Sequence, residues 1–226
     1  GLKFVRYADD FSIYVKSKAE AKTTGNKVYL YLRDKLRLTI NREKSGIRRP
    51  IHFEILGFRF ASTYTKGDKG KYQLTVGDKA WERLRRSLKS ITRKTSPKSF
   101  AERITKINEI QLGWLNYFRG ASIYSKLKTM DGWLRNRLRY CIWHDWKKPE
   151  RKRKNLIRLG VKQGDAYAWS RTRKGGWAVA QSPILITTIT LQGLKKRGYQ
   201  SLLDMYFKLN PSVCEPPYTR PVRTVV

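Results

Sequence analysis

The sequence predicts an α+β chain, on three observations. Residues 3–15 alternate apolar and polar side chains around a sharp reversal, and residues 77–150 repeat apolar side chains every three to four positions. Residues 151–226 lose that regularity while staying strongly basic. These changes of pattern predict three regions, 1–76, 77–150 and 151–226. With 226 residues, 40% of them hydrophobic, the chain is long enough for a sizeable core and one to two domains.

In the first region, Leu2 to Tyr7 and Phe11 to Lys16 read as strands. The "ADD" between them reads as a tight turn, so a β-hairpin is expected. Residues 18–37 read as a helix with Ala21, Val28, Leu32 and Leu36 inward, although Gly25 on the same stripe weakens its middle. "LTIN" (38–41), "FEILGFRFA" (53–61) and "YQLTV" (72–76) read as strands, and "TKGDKGK" (65–71) as a turn. The second region reads as three helices in a small bundle. Their apolar stripes are Ala80, Leu84, Leu88 and Ile91; then Ile104, Ile107, Ile110, Trp114 and Phe118; then Met130, Leu134, Leu138 and Cys141. Ser99 and Glu102 have the spacing of a capping box at the start of the second helix. In the third region "ILITTITLQGL" (184–194) is open between strand and helix, and the end from Pro211 reads as extended.

The charge balance narrows the partners. There are 50 Lys and Arg against 17 Asp and Glu, a formal net charge of +33. The three regions carry +10, +11 and +12, so basicity is not confined to a tail. An even spread fits a long polyanion that touches most of the molecule. No apolar run of about 18 residues or more is present, so no transmembrane helix is expected. No signal peptide is expected, and the charge is too dispersed for one membrane anchor; nucleic acid, not a membrane, is the expected partner. Gly1 is not an initiator methionine, so an upstream segment is expected. Cys141 and Cys214 have no zinc-site spacing and form no disulfide framework, and His52 and His144 are isolated.

A hairpin at residues 3–15 would bring Asp9 and Asp10 together at its tip. Their repulsion costs free energy unless cations sit beside them. Carboxylate oxygens suit Mg²⁺, and two such ions about 3.5–4 Å apart can activate a hydroxyl and stabilise a leaving oxygen. That is the chemistry of phosphodiester formation. Aspartate is also common in turns because its side chain bonds nearby backbone, so the doublet alone leaves both readings open.

"FVRYADDFSIYV" resembles the catalytic hairpin motif of reverse transcriptases, and further matches come after it in order. "LTINREKSGI" (38–47) resembles the lysine-bearing palm motif and "FEILGFRF" (53–60) the primer grip. "LGWLNYFRG" (112–120) and "MDGWLRNRLRYCIW" (130–143) resemble the maturase-specific region, or thumb, of group II intron reverse transcriptases. "WSRTRKGGWAVAQSPIL" and "GLKKRGYQSLLD" resemble, more loosely, the segment C-terminal to that region in bacterial members. The resemblance implies a partial reverse-transcriptase palm of antiparallel sheet with helix, a helical thumb/maturase bundle, and a basic C-terminal region with an extended tail. It implies an RNA-directed DNA polymerase using two Mg²⁺ ions, with an RNA template, a DNA primer and deoxynucleoside triphosphates, which also binds group II intron RNA and assists splicing. A cytoplasmic bacterial setting is expected, with an organelle as the alternative.

Carried onto this chain, Asp9 would be a metal ligand and Asp10 a ligand or electrostatic neighbour. Tyr7 would lie near the primer end, with Ala8 small to leave room. Lys44 would neutralise or protonate the leaving pyrophosphate, or is a solvated turn lysine. Gly57 would let the strand approach a nucleic-acid backbone closely, or mark a bulge or packing need, and Leu56 and Phe58 would hold the primer, or fill core. The family's further palm aspartate and its fingers are absent from these residues, so this chain is expected to be incomplete as a polymerase without an N-terminal portion. No cysteine–histidine cluster of an endonuclease appears either. Arg85, Lys89 and Arg93 form a row at i, i+4, i+8 with only Glu82 to offset their repulsion, a pattern expected of a phosphate track; Arg135 and Arg139 repeat it. Arg151, Lys152, Arg153 and Lys154 form a run that could contact RNA or act as a localisation signal. Trp114, Tyr117 and Phe118 suit helix core first and base stacking second. The rival reading is a non-catalytic RNA-binding splicing cofactor in which the hairpin is inherited but idle.

Overall fold

The computed structural model describes residues 2–41, 43–62 and 72–211. The expected turn at 65–71, Cys214 and the tail beyond Pro211 lie outside them. The chain divides into two compact units between Phe53 and Glu54.

In the first unit the expected hairpin is present. Strand β1 (Lys3–Tyr7) pairs antiparallel with β2 (Asp10–Tyr14), with Lys3 opposite Tyr14 and Tyr7 opposite Asp10. Alternation places Phe4 and Val5 on opposite faces, and both are exposed. Helix α1 (Lys18–Leu30) begins at Ser17, whose hydroxyl accepts from the Glu20 N–H at 3.1 Å, while the Glu20 carboxylate accepts from the Lys16 N–H at 3.0 Å. Helical backbone continues through one π-helical turn, Tyr31–Lys35. Ala21, Val28 and Leu32 are half-buried as expected, but Leu36 is exposed. The π turn, closed by Leu36 N–H donating to the Tyr31 carbonyl at 3.2 Å, adds a residue and carries Leu36 off the stripe.

Residues 38–41 form no strand, against expectation. Arg37 has φ 51°, and the Leu38 N–H turns back to the Leu32 carbonyl at 2.9 Å. The Asn41 side chain then accepts from the N–H groups of Glu43 (3.0 Å) and Lys44 (3.2 Å). Local turns thus take the backbone groups that a neighbouring strand would have used.

The second unit opens with a three-stranded antiparallel sheet of β3 (Glu54–Ile55), β4 (Phe58–Ser62) and β5 (Tyr72–Val76), in that order. The single strand expected over 53–61 is therefore a hairpin. Leu56 (φ 54°) and Gly57 (φ 82°) both take the left-handed conformation that a two-residue turn of the I′ kind requires. Gly57 is doubly constrained, because a Cβ there would stand 3.2 Å from the Phe118 ring.

Helices α2 (Asp78–Ile91), α3 (Phe100–Phe118) and α4 (Tyr124–Asp145) follow, close to the expected bundle. Both halves of the capping box form: Glu102 N–H donates to Ser99 Oγ at 3.3 Å and Ser99 N–H to Glu102 Oε2 at 2.7 Å. Leu84, Leu88, Ile104, Ile107, Leu134, Leu138 and Cys141 are buried as the stripes predict. No structural break falls at 76/77. Gly77 N–H donates to the Gly57 carbonyl (2.7 Å), Ser122 N–H to the Leu74 carbonyl (2.8 Å), and Phe58 packs on Phe118 with ring centroids 4.9 Å apart.

The region after 150 is not irregular but helical: α5 (Pro149–Arg158), α6 (Gln163–Ser170), α7 (Gly176–Ala180), α8 (Pro183–Thr188), α9 (Leu191–Lys195) and α10 (Leu202–Leu209). "ILITTITLQGL" resolves into α8 and α9, with Thr190 Oγ1 accepting from the Gly193 N–H at 3.2 Å. Leu156, Ala166, Val179, Leu185, Leu194, Tyr199 and Leu202 are buried in the same core as the bundle. Among the described residues, no helix is long and apolar enough to cross a membrane.

One buried carboxylate joins the two helical regions. Asp131 of α4 has no exposed surface and accepts from Tyr199 OH (2.8 Å), Leu202 N–H (3.0 Å) and Arg135 Nη1 (2.9 Å). Burial, and then the Asp131 charge, push the Tyr199 hydroxyl well above the usual tyrosine pKa, so it stays a donor. Removing one partner of a buried charged network typically costs about 3–5 kcal/mol. Asp131→Ala should lower the urea unfolding free energy by about that much, and Tyr199→Phe by about 1.5–3 kcal/mol for one hydrogen bond to a charged group. A loss under about 1 kcal/mol for Asp131→Ala would show that these bonds do not hold the helices together.

Candidate nucleic-acid interface

The hairpin tip is a two-residue loop, Ala8–Asp9, with Ala8 at φ 50°. Left-handed backbone is costly for a residue with a Cβ and tends to persist where a turn is over-determined by its surroundings. The Arg6 guanidinium contributes by donating through Nε to the Ala8 carbonyl at 3.0 Å. Asp9, Asp10 and Tyr7 are exposed. No ion pair or metal-binding group of three carboxylate, imidazole or thiol side chains includes the two aspartates among the described residues. Two exposed carboxylates fit part of a Mg²⁺ shell, which ordinarily draws on one or two carboxylates and on substrate phosphates. Lys44 belongs to the same compact unit, exposed on the turn that Asn41 organises.

Leu56, Gly57 and Phe58 lie at the β3–β4 turn. Leu56 is exposed and its carbonyl accepts from Tyr117 OH at 3.1 Å. Gly57 faces the Phe118 ring, and Phe58 packs against both Tyr117 and Phe118. Of the Leu56 and Phe58 side chains, Leu56 is the one turned to solvent. Trp114 and Phe118 belong to the core: Trp114 lies 4.5 Å from Trp81 and 4.7 Å from Phe118, centroid to centroid. Tyr117 is exposed.

The expected basic row is on the surface, but α2 ends at Ile91, so Arg85 and Lys89 lie on the helix and Arg93 lies just past its end. Arg85, Lys89 and Arg93 are exposed, with the Arg85 guanidinium 5.1 Å from the centre of the Trp133 ring. Arg83 and Arg86 widen the row. The pair on α4 differs from what its spacing predicts. Arg135 is committed to Asp131, and Arg139 is only 6% exposed. Arg139 donates to the Ile189 carbonyl (3.0 Å) and to Asn136 Oδ1 (2.7 Å). Burial, then the neighbouring Arg135 charge, lower its pKa from the ordinary arginine value. Arg139 thus holds the segment after α8 and does not face a phosphate. The i, i+4 spacing looks the same on a free face as on one that later helices cover.

Sequence reasoning passed over Arg137. It donates to Thr92 Oγ1 (3.0 Å) and the Thr92 carbonyl (2.5 Å) and lies against Tyr140 and Trp177. The 151–154 run sits on α5 and divides by helical phase. Arg151 and Lys154 are exposed, Lys152 places Nζ 4.5 Å from the centre of the Trp143 ring, and Arg153 pairs with Glu150 at 3.1 Å.

The acids of this unit are largely spent on internal partners. Asp78 pairs with Arg59 and Lys126, Glu150 with Arg153 and Arg171, and Asp204 with Lys195. What remains outward is a surplus of cations, the electrostatic footprint of a nucleic-acid binder.

Residues 81–160 match the family described as group II intron, maturase-specific domain, which makes this stretch a group II intron maturase region. It includes the α2 row, α3, α4 and the 151–154 run. The chain matches no curated protein.

The arginines should separate by assay. Replacing Arg85, Lys89 and Arg93 together with Gln should weaken RNA binding about tenfold, lower its salt dependence and leave the melting temperature in place, as expected for phosphate contacts. Arg139→Gln should instead cost about 1.5–3 kcal/mol of stability, the value of hydrogen bonds from a buried charged group.

Proposed function

We propose that this chain binds structured group II intron RNA and assists its splicing, as a region of a group II intron reverse transcriptase. The observation that carries this reading is a coincidence of positions. The stretch matching the maturase-specific family, residues 81–160, also carries the exposed α2 cations and the outward half of the 151–154 run. Folded RNA is recognised by shape, phosphates and 2′-hydroxyls, and a rigid helical unit with dispersed cations suits that mode.

The hairpin favours polymerisation as a second activity of the fuller protein. In its support, a strained two-residue turn carries two exposed carboxylates between paired strands. Asp9 would ligate Mg²⁺, Asp10 would ligate or sit beside it, and Lys44 would neutralise the leaving pyrophosphate. When bound, two Mg²⁺ ions supply Lewis-acid activation of the attacking hydroxyl and charge stabilisation at the leaving oxygen. An RNA template, a DNA primer and deoxynucleoside triphosphates would be the substrates. A further carboxylate and an N-terminal polymerase portion are required to complete the site. The non-catalytic alternative keeps the RNA surface and leaves the hairpin idle.

Two measurements test these readings. If about six phosphates of single-stranded RNA are engaged, log affinity should fall with log salt at a slope of about −4. A slope near zero contradicts the RNA reading. With an N-terminal polymerase portion supplied, Asp9→Asn should abolish Mg²⁺-dependent primer extension and leave RNA affinity within about twofold, since one exposed, salt-screened charge adds little to binding. Normal extension by that variant removes the metal role, and no extension by the unaltered chain favours the non-catalytic alternative.

A further inference from the structure

A cleft of about 370 Å³ opens beside the C-terminal end of α4, lined by Trp143, His144, Lys147, Lys152, Thr172 and Lys174. Its walls come from both sides of the maturase-family boundary: α4 and α5 lie within the matched residues, and the turn before α7 lies beyond them. Lys147, Lys152 and Lys174 all border it, and among the described residues no carboxylate does. Glu150, close by in sequence, is already held by Arg153 and Arg171.

The fold fixes the backbone of Lys147 and rests the side chains of Lys152 and Lys174 on aromatic rings. Lys147 follows α4 in the left-handed conformation, φ 47°, a position where glycine or asparagine is the usual residue. Its N–H donates to the His144 carbonyl at 3.1 Å, closing the helix end. Lys152 lies over the face of Trp143, with Nζ 4.5 Å from the ring centre, and burial lowers its pKa. Lys174 has Nζ 5.8 Å from the centre of the Trp169 ring, and its backbone N–H donates to Thr172 Oγ1 at 3.3 Å. Like charges gathered without a counter-ion repel one another, and an anion entering the cleft relieves that repulsion. A cavity of this size takes a nucleotide-sized group. A duplex displays its phosphates on a convex surface, whereas a single strand can lead one phosphodiester into a recess.

We propose that this cleft is a phosphate site for single-stranded RNA, in which Lys147, Lys152 and Lys174 converge on one phosphodiester of an unpaired segment. The site rests on the reading of the chain as an RNA binder and adds to it a location and a preference for unpaired strand. It is separate from the α2 row, which lies on a different helix.

The test uses the full chain and two probes, a twelve-nucleotide oligouridine and a blunt RNA duplex, with inorganic phosphate as competitor. One variant carries Lys147→Gln, Lys152→Gln and Lys174→Gln together. A second carries Arg at the same three positions, and a third is the Gln triple variant of the α2 row. Melting temperatures are measured for all three. The Gln cleft variant should bind oligouridine about tenfold more weakly and the duplex within about twofold of the unaltered chain, while the Arg variant keeps its affinity. Equal losses on both probes, no loss on oligouridine, or failure of the Arg variant with an unchanged melting temperature each overturns the proposal. So does inorganic phosphate that displaces oligouridine at concentrations comparable to the oligonucleotide's own, which would assign the cleft to a free anion. If the cleft variant binds normally while the α2 variant is weakened, the cleft assignment fails and the RNA reading stands. If the unaltered chain binds neither RNA, both fail.

Discussion

Asp131 lies fully buried in α4 and accepts hydrogen bonds from Tyr199, from the backbone of Leu202 and from Arg135. A carboxylate in such a place is tolerable only while every partner is present. Two of the three belong to the stretch between α9 and the start of α10. The charge on α4 therefore fixes where the last described helices must dock. Arg139 does the same farther along α4, reaching the carbonyl of Ile189 after α8. These polar ties specify register, and the apolar residues around them, from Leu138 to Leu185 and Leu202, supply most of the burial.

Packing of the second unit has an electrostatic consequence. Some cations turn inward to serve structure, as Arg103, Arg137 and Arg139 do. Several acids are used to hold elements in place, as Asp78, Glu150 and Asp204 are. The cations left over, on α2, on the outward side of α5 and around the cleft beside α4, have no fixed counter-charge among the described residues. Aromatic rings under several of them, Trp133 beneath Arg85 and Trp143 beneath Lys152, hold the long side chains in place and reduce what they lose on meeting a phosphate.

Local signals carried the parts of the fold that were legible in the sequence. The hairpin at residues 3–15, the capping box at Ser99 and Glu102, and the three apolar stripes of α2 to α4 each depend on contacts between residues near in sequence, and each appears in the structure. Less legible were features that tertiary contacts decide. Nothing in "LTIN" reveals that Asn41 will accept from the N–H groups after it, and nothing in "FEILGFRFA" reveals that Leu56 will join Gly57 in a turn. Helices of five or six residues, such as α7 to α9, are too short to display a period and are stabilised by burial in the shared core. The basic residues show the same divide. Arg85 and Arg139 look alike in sequence, and only the packing of later helices makes one a surface cation and the other a core residue.

Hydrogen–deuterium exchange across the free chain tests the central claim most directly, namely that the helices on both sides of residue 150 form one body held through Asp131. Amides of α10 should then exchange as slowly as the central amides of α4, through a shared global opening, and Asp131→Asn should speed both together. Exchange of α10 orders of magnitude faster than α4 would contradict the claim and leave residues 151–209 as an independent appendage.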